Sequence, residues 1–561
     1  MSTLATGSCF PCRRSKRRCD KRMPACQLCL RKGSKCAYPQ RRGQRFASPI
    51  ENTPGIEWTI GADARTAPIH VSASGHNGIT LRSSSQSPLI PSSFARATAI
   101  GFLAPSLFRE ASLDIPRLDL DIPPEIAVHL GDRQQMRETT AEFFQLTRSW
   151  MSIVSPRRHL AALLNPLSPT RRPSALLALC MKLCCLPVSR RDDGDGDGDG
   201  DGDGDAERTL LYRLIKRFYA EVESTEGLCL QVLQAAVLIA VFEIGDAIYP
   251  AAYLTVGACA RYGIAMGLDK VNKDRMGGGI RSTDAASWMD IEERRRVWWG
   301  VLILDRFLNI ANPTRSLATE DPAFEDFLPV DDEKFYDATA LPEDANIISQ
   351  AFTYKIGQFR RLAQATYLIS QVLVTIRSSP IAPNTHSHSH ANTSISRPMD
   401  TAQLCRTLDA LVRANEVEAT IGKLAFCCQS LVSFSGILLL QGHHWTQVAI
   451  QCTEDAERHT FSETRNAFDT LYRIALFLKQ GSETQLPLLL RGQCTFFLAS
   501  VVYHASSALM TIGRGDPSAE VREKIEAFRW LLEFLGERWP LSGVYLSILE
   551  AKEALLAAEA M

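Results

Sequence analysis

The chain has 561 residues, 62 basic and 62 acidic, and 45% of them are apolar. That apolar share can build a packed core, so wholesale disorder is excluded. The formal net charge of zero hides a split: residues 1–46 hold thirteen Lys or Arg against Asp20 alone, which is +12, and the remainder carries −12. A basic tip on an acidic body suits a polyanion-binding end better than a uniformly neutral enzyme. No apolar h-region opens the chain, so no secretory signal is expected. Sixteen Cys without such a signal point to a reducing compartment, where clustered thiols bind metal rather than form disulfides.

Taken in chain order, the first feature is Cys9-x2-Cys12-x6-Cys19-x6-Cys26-x2-Cys29-x6-Cys36, one C-x2-C-x6-C unit written twice. Two Cys three apart can grip one ion in a tight turn, and a third arrives from the far end of a short helix. Three thiolates leave each tetrahedral zinc one ligand short. Sharing one sulfur from each unit completes both sites, so the six Cys can hold two Zn²⁺ ions. A piece this small has too little apolar surface to fold alone, and metal must supply its folding free energy. Between Cys12 and Cys19 stand Arg13, Arg14, Ser15, Lys16, Arg17 and Arg18, five of them basic. That first helix is the better candidate to face DNA, with Lys or Arg near guanine O6 and N7 and the other basic residues, Lys21 and Arg22 included, on phosphates. The run Arg13–Arg22 also fits a nuclear-import signal.

Residues 9–38 closely resemble the fungal binuclear zinc cluster, a six-cysteine, two-zinc DNA-binding domain. The six Cys, Arg13, Lys16, Arg18, Asp20, Pro24 and Tyr38 carry the match. The resemblance implies that Cys9 and Cys26 are the bridging ligands, that Lys16 is the main base-reading residue, and that CGG-like triplets are read. The chain departs from the family pattern at Ser15, where many members carry Arg or Lys.

Residues 47–130 are rich in Ser, Pro, Gly and Thr and are expected to form a flexible linker between a module at 1–46 and a helical domain at 131–561. Pro39, Gly43, Pro49, Pro54 and Gly55 leave no heptad run after the cluster, so a homodimer is an option without an assigned coiled coil. From Gln134 the apolar residues recur at helical spacing, as in Leu211, Ile215, Phe218 and Tyr219. Helices are expected at 134–151, 173–186, 207–225, 228–244, 250–267, 290–311, 345–377, 400–440 as two, 459–480, 487–512, 518–538 and 543–559. The fold class is therefore mostly α: a small two-zinc six-cysteine domain, a linker and a large all-α domain.

Two low-complexity tracts interrupt that body. Asp192–Asp205 has eight Asp and six Gly, and calcium-loop frames starting at Asp193, Asp195 or Asp197 put Gly204, Ala206 or Arg208 where a Glu is needed, so a flexible, self-repelling loop is expected. Residues 378–399, with His386, His388 and His390, are expected to form a disordered loop. Leu424–Leu440 is interrupted by Gln429, Ser430, Ser433 and Ser435 and is too short for a membrane span. His443 and His444 beside Trp445 are expected at a helix end rather than as ligands.

The string Glu292-Glu293-Arg294-Arg295-Arg296-Val297-Trp298-Trp299 is expected as a core helix with a charged first turn, burying Val297, Trp298, Val301, Leu302 and Leu304. It also resembles the signature of the fungal transcription factor middle homology region, as do Gly257–Arg261, Gly267-Leu268 and Leu328-Pro329. That resemblance spans about 135–335 and departs at Asn312-Pro313-Thr314-Arg315, where a Gly-Arg-Pro turn is usual. It implies an α-helical array that regulates activity, through a coregulator, a small-molecule effector or self-association. No H-E-x-x-H, G-x-S-x-G or phosphate-cradling G-x-x-x-x-G-K-[ST] occurs, which argues against an enzyme. The expectation is a nuclear, sequence-specific regulator of RNA polymerase II genes, partnered by double-stranded DNA and by no membrane. The resemblance further implies an activator of a fungal metabolic or secondary-metabolite gene cluster. The alternative is a zinc-dependent protein-interaction scaffold that does not read DNA sequence.

Overall fold

The structure is a computed structural model. It describes residues 8–9, 12, 18–31, 36 and 38 and, further on, 92–113, 115, 118, 120–165, 171–188, 203–275, 288–350, 357–378, 401–422, 427–451, 461–483, 494–513 and 518–560. The chain divides into two compact units, Met1–Gln86 and Ser87–Met561. The described residues hold nineteen α-helices and no named strand, with one isolated antiparallel bridge between Phe327 and Ile347. The mostly α fold class is what the helical periodicity implied.

The first unit contains α1, Gln27–Arg31. The second opens with α2, Ser92–Leu103, and α3, Pro105–Glu110, followed by α4, Pro124–Leu130. These three helices fall inside the stretch expected as linker. Pro105 and Pro124 sit in the first turn of their helices, where a missing N–H costs nothing, so these prolines begin helices rather than exclude them. Helix α5, Arg133–Thr147, is started by a capping box between Asp132 and Gln135. It ends four residues short of the expected 151, where Trp150 and Met151 donate back to the Thr147 carbonyl.

Helices α6 (Pro156–Leu164), α7 (Arg171–Cys185), α8 (Asp203–Thr225), α9 (Leu230–Gly245) and α10 (Ala251–Ala265) build the first half of the body. The Asp-Gly tract lies outside the described residues except at its end, where Asp203 opens α8 instead of continuing a loop. On α8 the spaced residues Leu211, Ile215, Phe218 and Val222 are buried. Helix α9 is apolar and buried nearly all round, as expected of a helix with no polar face, and packs on α7 and α10.

Helix α11, Trp288–Ile310, joins the two halves by packing on α9 and α10 and on α13, Gln358–Ser378. A Cβ on Gly263 of α10 would lie 2.7 Å from the Trp298 ring, so a bare backbone lets these helices approach. Between α11 and α13 lies α12, Asp332–Tyr336. The helix expected from 345 starts only at Gln358. The Leu328 amide donates to the Asn346 carbonyl and the Ile348 amide to that of Asp326, which ties 346–348 to an extended segment. The second half comprises α14 (Thr401–Gly422), α15 (Cys428–Gln451), α16 (Ser462–Glu483), α17 (Phe496–Ile512), α18 (Ala519–Gly536) and α19 (Leu541–Ala560). Of 378–399 only Ser378 is described, at the end of α13. No helix among the described residues is long and apolar enough to cross a membrane.

Helix α11 buries the expected Val297, Trp298, Val301, Leu302 and Leu304, and it also buries the charged turn. Glu292, Arg295 and Arg296 are fully enclosed. Arg296 Nε donates to Glu292 at 2.9 Å, and its Nη1 donates to Asp332 at 2.9 Å and to the Ser152 hydroxyl at 2.8 Å. Its Nη2 donates to the Val330 carbonyl at 2.7 Å. Glu292 also accepts from the Val330 amide at 2.9 Å. Breaking such a pair from one side leaves a charge without a partner, so Glu292→Ala should lower stability by about 3–5 kcal/mol. Arg294→Ala, half-buried on the same helix, should change it by under about 1 kcal/mol. Thermal melting of the two variants side by side checks this, and equal melting temperatures would contradict the clamp.

Candidate metal centre and nucleic-acid interface

The N-terminal unit buries thiols where a larger domain would bury leucines: Cys9, Cys12, Cys26 and Cys29 form its core, with Cys19, Cys36 and Tyr38 packed around them. Helix α1 begins after Cys26, whose carbonyl accepts from the Leu30 amide. The Cys29 amide points at Cys26 Sγ at 3.4 Å, and the Cys26 amide at Cys36 Sγ at 3.3 Å. Asp20 holds the start of α1 from seven residues away, its two carboxylate oxygens each 3.2 Å from the Gln27 amide.

Two sets of four sulfurs lie within 4.8 Å of one another: Cys9, Cys12, Cys19 and Cys26, and Cys9, Cys26, Cys29 and Cys36. Cys9 and Cys26 belong to both. The separations of 3.7 Å for Cys9–Cys26, Cys9–Cys29 and Cys9–Cys19 and 3.6 Å for Cys12–Cys26 match a metal tetrahedron. Zinc–sulfur bonds of about 2.3 Å give an edge of about 3.8 Å. The donor set therefore fits two tetrahedral ions with two common ligands. No other group of His, Cys, Asp or Glu among the described residues could hold an ion.

Electrostatics point the same way. Burial pushes the Cys9 and Cys12 thiols up. Burial also raises Cys26, but the Cys29 amide and the surrounding thiols outweigh it and bring Cys26 down to about 6. Thiols this crowded cannot all ionise beside one another, whereas bound cations make thiolates the favoured form.

Of the expected DNA contacts, Arg18, Lys21 and Arg22 are described, and all three are exposed. Arg13, Arg14, Ser15, Lys16 and Arg17 lie outside the described residues. Arg22 Nε stands 4.0 Å from Asp20, a surface pair of little energetic weight. Two bonds carry no signal in the spacing: that from Gln27 to Asp20, and one from the Tyr38 hydroxyl to the Arg22 carbonyl at 2.8 Å. Asp20 and Tyr38 were signalled only as residues of the family match, with no bond attached to either. In the body, His443 and His444 lie inside α15 rather than at its end, with the His444 ring against Phe461.

Residues 7–45 match the fungal Zn(2)-Cys(6) binuclear cluster domain, and residues 141–380 match the fungal specific transcription factor domain. The chain is 38% identical to transcription factor BOA15 of Botryotinia fuckeliana over 172 residues, which is 31% of this chain and 84% of that protein. The chain belongs to the fungal zinc cluster transcription factors. It is also 31% identical to transcription factor tazR of Aspergillus terreus over 131 residues, 21% of this chain and 20% of that one. The fungal specific domain runs past the expected 335 and takes in the whole of α13. Zinc cluster domains bind zinc and DNA, and the family is one of transcription factors.

The buried core of the zinc cluster module is its own set of metal ligands, so chelation should expose its thiols first. The body thiols are held by the core: Cys180, Cys259 and Cys428 are buried, and burial pushes each of them up. Alkylation of the native chain in the presence of chelator, followed by mass spectrometry, should label the six N-terminal Cys well before Cys180, Cys259 and Cys428. Equal labelling of both groups would contradict a metal-held module on an independent body.

Proposed function

We propose that this zinc cluster transcription factor is a nuclear, sequence-specific regulator of RNA polymerase II genes that reads CGG-like triplets. The observation that carries it is the pair of four-sulfur sets with Cys9 and Cys26 in common, beside exposed basic residues. Cys9, Cys12, Cys19, Cys26, Cys29 and Cys36 hold two zinc ions, with Cys9 and Cys26 bridging. When bound, zinc ties the two units together and keeps six thiolates ionised. The chain's own residues then do the recognition. Lys16 reads a guanine edge, and Arg13, Arg14, Ser15, Arg17, Arg18, Lys21 and Arg22 fix register on the backbone. Six thiolates and two Zn²⁺ sum to −2, which that basic shell outweighs. A linker between module and helical body gives the reader its own freedom of search. The body regulates output through a coregulator, an effector or self-association. The family resemblance suggests an activator of a metabolic or secondary-metabolite gene cluster.

Binding to duplexes with and without CGG triplets, measured across salt, tests the reading. Log affinity should fall against log salt with a slope of about −0.9 per phosphate contacted. A flat salt response with no preference among sequences would favour the protein-interaction scaffold instead. Lys16→Ala should cost about 1–3 kcal/mol on the cognate site and relax base preference. An equal loss on every sequence would make Lys16 a phosphate contact. Cys26→Ser should damage both metal sites, and two zinc ions retained by metal analysis would refute common ligation.

A further inference from the structure

The segment between the two halves of the zinc cluster holds an unusual backbone. Lys21 has φ +61°, the left-handed region that a side-chain-bearing residue rarely adopts. Such a conformation persists only where its surroundings enforce it, and here two bonds flank it. On one side Asp20 is tied to the start of α1 through the Gln27 amide, at 3.2 Å from each oxygen. On the other, the Tyr38 hydroxyl donates to the Arg22 carbonyl at 2.8 Å. Tyr38 also lies against Cys19, its oxygen 3.9 Å from Sγ, so it is anchored on the thiol core. Between these two ties stand Lys21 and Arg22, adjacent, basic and exposed.

We propose that Tyr38 and Asp20 are positioning residues for DNA binding: they lock the Asp20–Arg22 turn so that Lys21 and Arg22 meet the phosphate backbone already in place. The inference rests on the DNA-reading function proposed above. A floppy turn would lose freedom on binding, and each tie removes part of that loss beforehand. In this arrangement Tyr38 and Asp20 act through the turn, and Lys21 and Arg22 are the groups that meet phosphate. Asp20 is the single acid among the thirteen bases of residues 1–46, and the bond it accepts from the Gln27 amide gives it a role in holding the turn.

The test is a double-mutant cycle in the full-length chain, with zinc content measured on every variant. Tyr38→Phe should keep the wild-type zinc content and lose about two- to tenfold in affinity on cognate and unrelated duplexes alike, the size of one net hydrogen bond. Lys21→Ala with Arg22→Ala should make the salt dependence shallower, by about 0.9 for each phosphate no longer neutralised. In that double-Ala background Tyr38→Phe should cost nothing further, because the groups it positions are gone. Asp20→Ala should follow the same pattern. An equal cost in both backgrounds would overturn the positioning role, as would no cost at all. Zinc lost from Tyr38→Phe would also overturn it, by assigning Tyr38 to the metal centre. A wild-type chain indifferent to DNA would sink the function itself, a failure separable from these.

Discussion

Helix α11 carries the constraint on which the helical body depends: Glu292, Glu293, Arg295, Arg296, Asp305 and Arg306 are all inside. Arg296 joins α11 to Ser152 before α6, to Val330 and to Asp332 of α12. Glu293, one residue from the pair's carboxylate, accepts from the Ser155 amide and from Gln234 of α9 at 2.9 and 3.0 Å. Burial holds the Glu293 carboxyl above its ordinary value, and these donors with Arg158 work against that. Near the other end, Arg306 Nε donates to Ser370 of α13 at 3.0 Å, and its Nη2 to the Glu320 carbonyl at 2.7 Å. Asp305 accepts from the Thr319 amide at 3.0 Å. The irregular segments around 152–155, 318–321 and 330–332 have no sheet to pair with, and this helix supplies partners to polar groups in all three.

The zinc cluster module solves the opposite problem. Among its described residues the buried core is sulfur. Crowded thiols are a poor core by themselves, since burial opposes their charge and their neighbours compete for each proton. Bound cations would turn the same crowding into the cohesive feature, since a thiolate ligand set couples metal binding to folding. Charge follows the same division. Residues 1–46, which contain the six clustered cysteines, carry +12, and eight of the body's acidic residues belong to the Asp-Gly tract, so the zero net charge is a sum over segments of opposite sign.

How much of this was legible depends on the range of the interaction. The cysteine spacing was legible because ligand geometry acts over two to six residues. Leu211, Ile215 and Phe218 were legible because one helix face buries them together. Helices α2 and α3 were not, because Ser and Pro count as loop residues until their place in the first turn is known. The onset of α13 was misplaced because the bonds that stop a helix at 346–348 come from 326–328, beyond any local window. Burial of Glu292 and Arg296 was hidden for the same reason. Their partners Ser152 and Asp332 lie 144 and 36 residues from Arg296.

Buried ion pairs are poor sources of net stability, because desolvation offsets most of their attraction. Their value in α11 is register. An apolar helix in an apolar groove can slide by a turn, about 5.4 Å, and still bury comparable surface. On α11 such a slide would strip Glu292 from Val330, Arg296 from Asp332 and Ser152, and Arg306 from Ser370 and Glu320 at once. Each stripped charge would stay inside without a partner, so the penalty adds along the helix while the apolar contacts barely discriminate. The aromatic and aliphatic residues between these charges, Val297 to Leu304, supply the burial. The charges at its two ends decide where along its axis the helix stops. A signature string of charged residues followed by tryptophans is then one device: the charges are the stops and the tryptophans the filling.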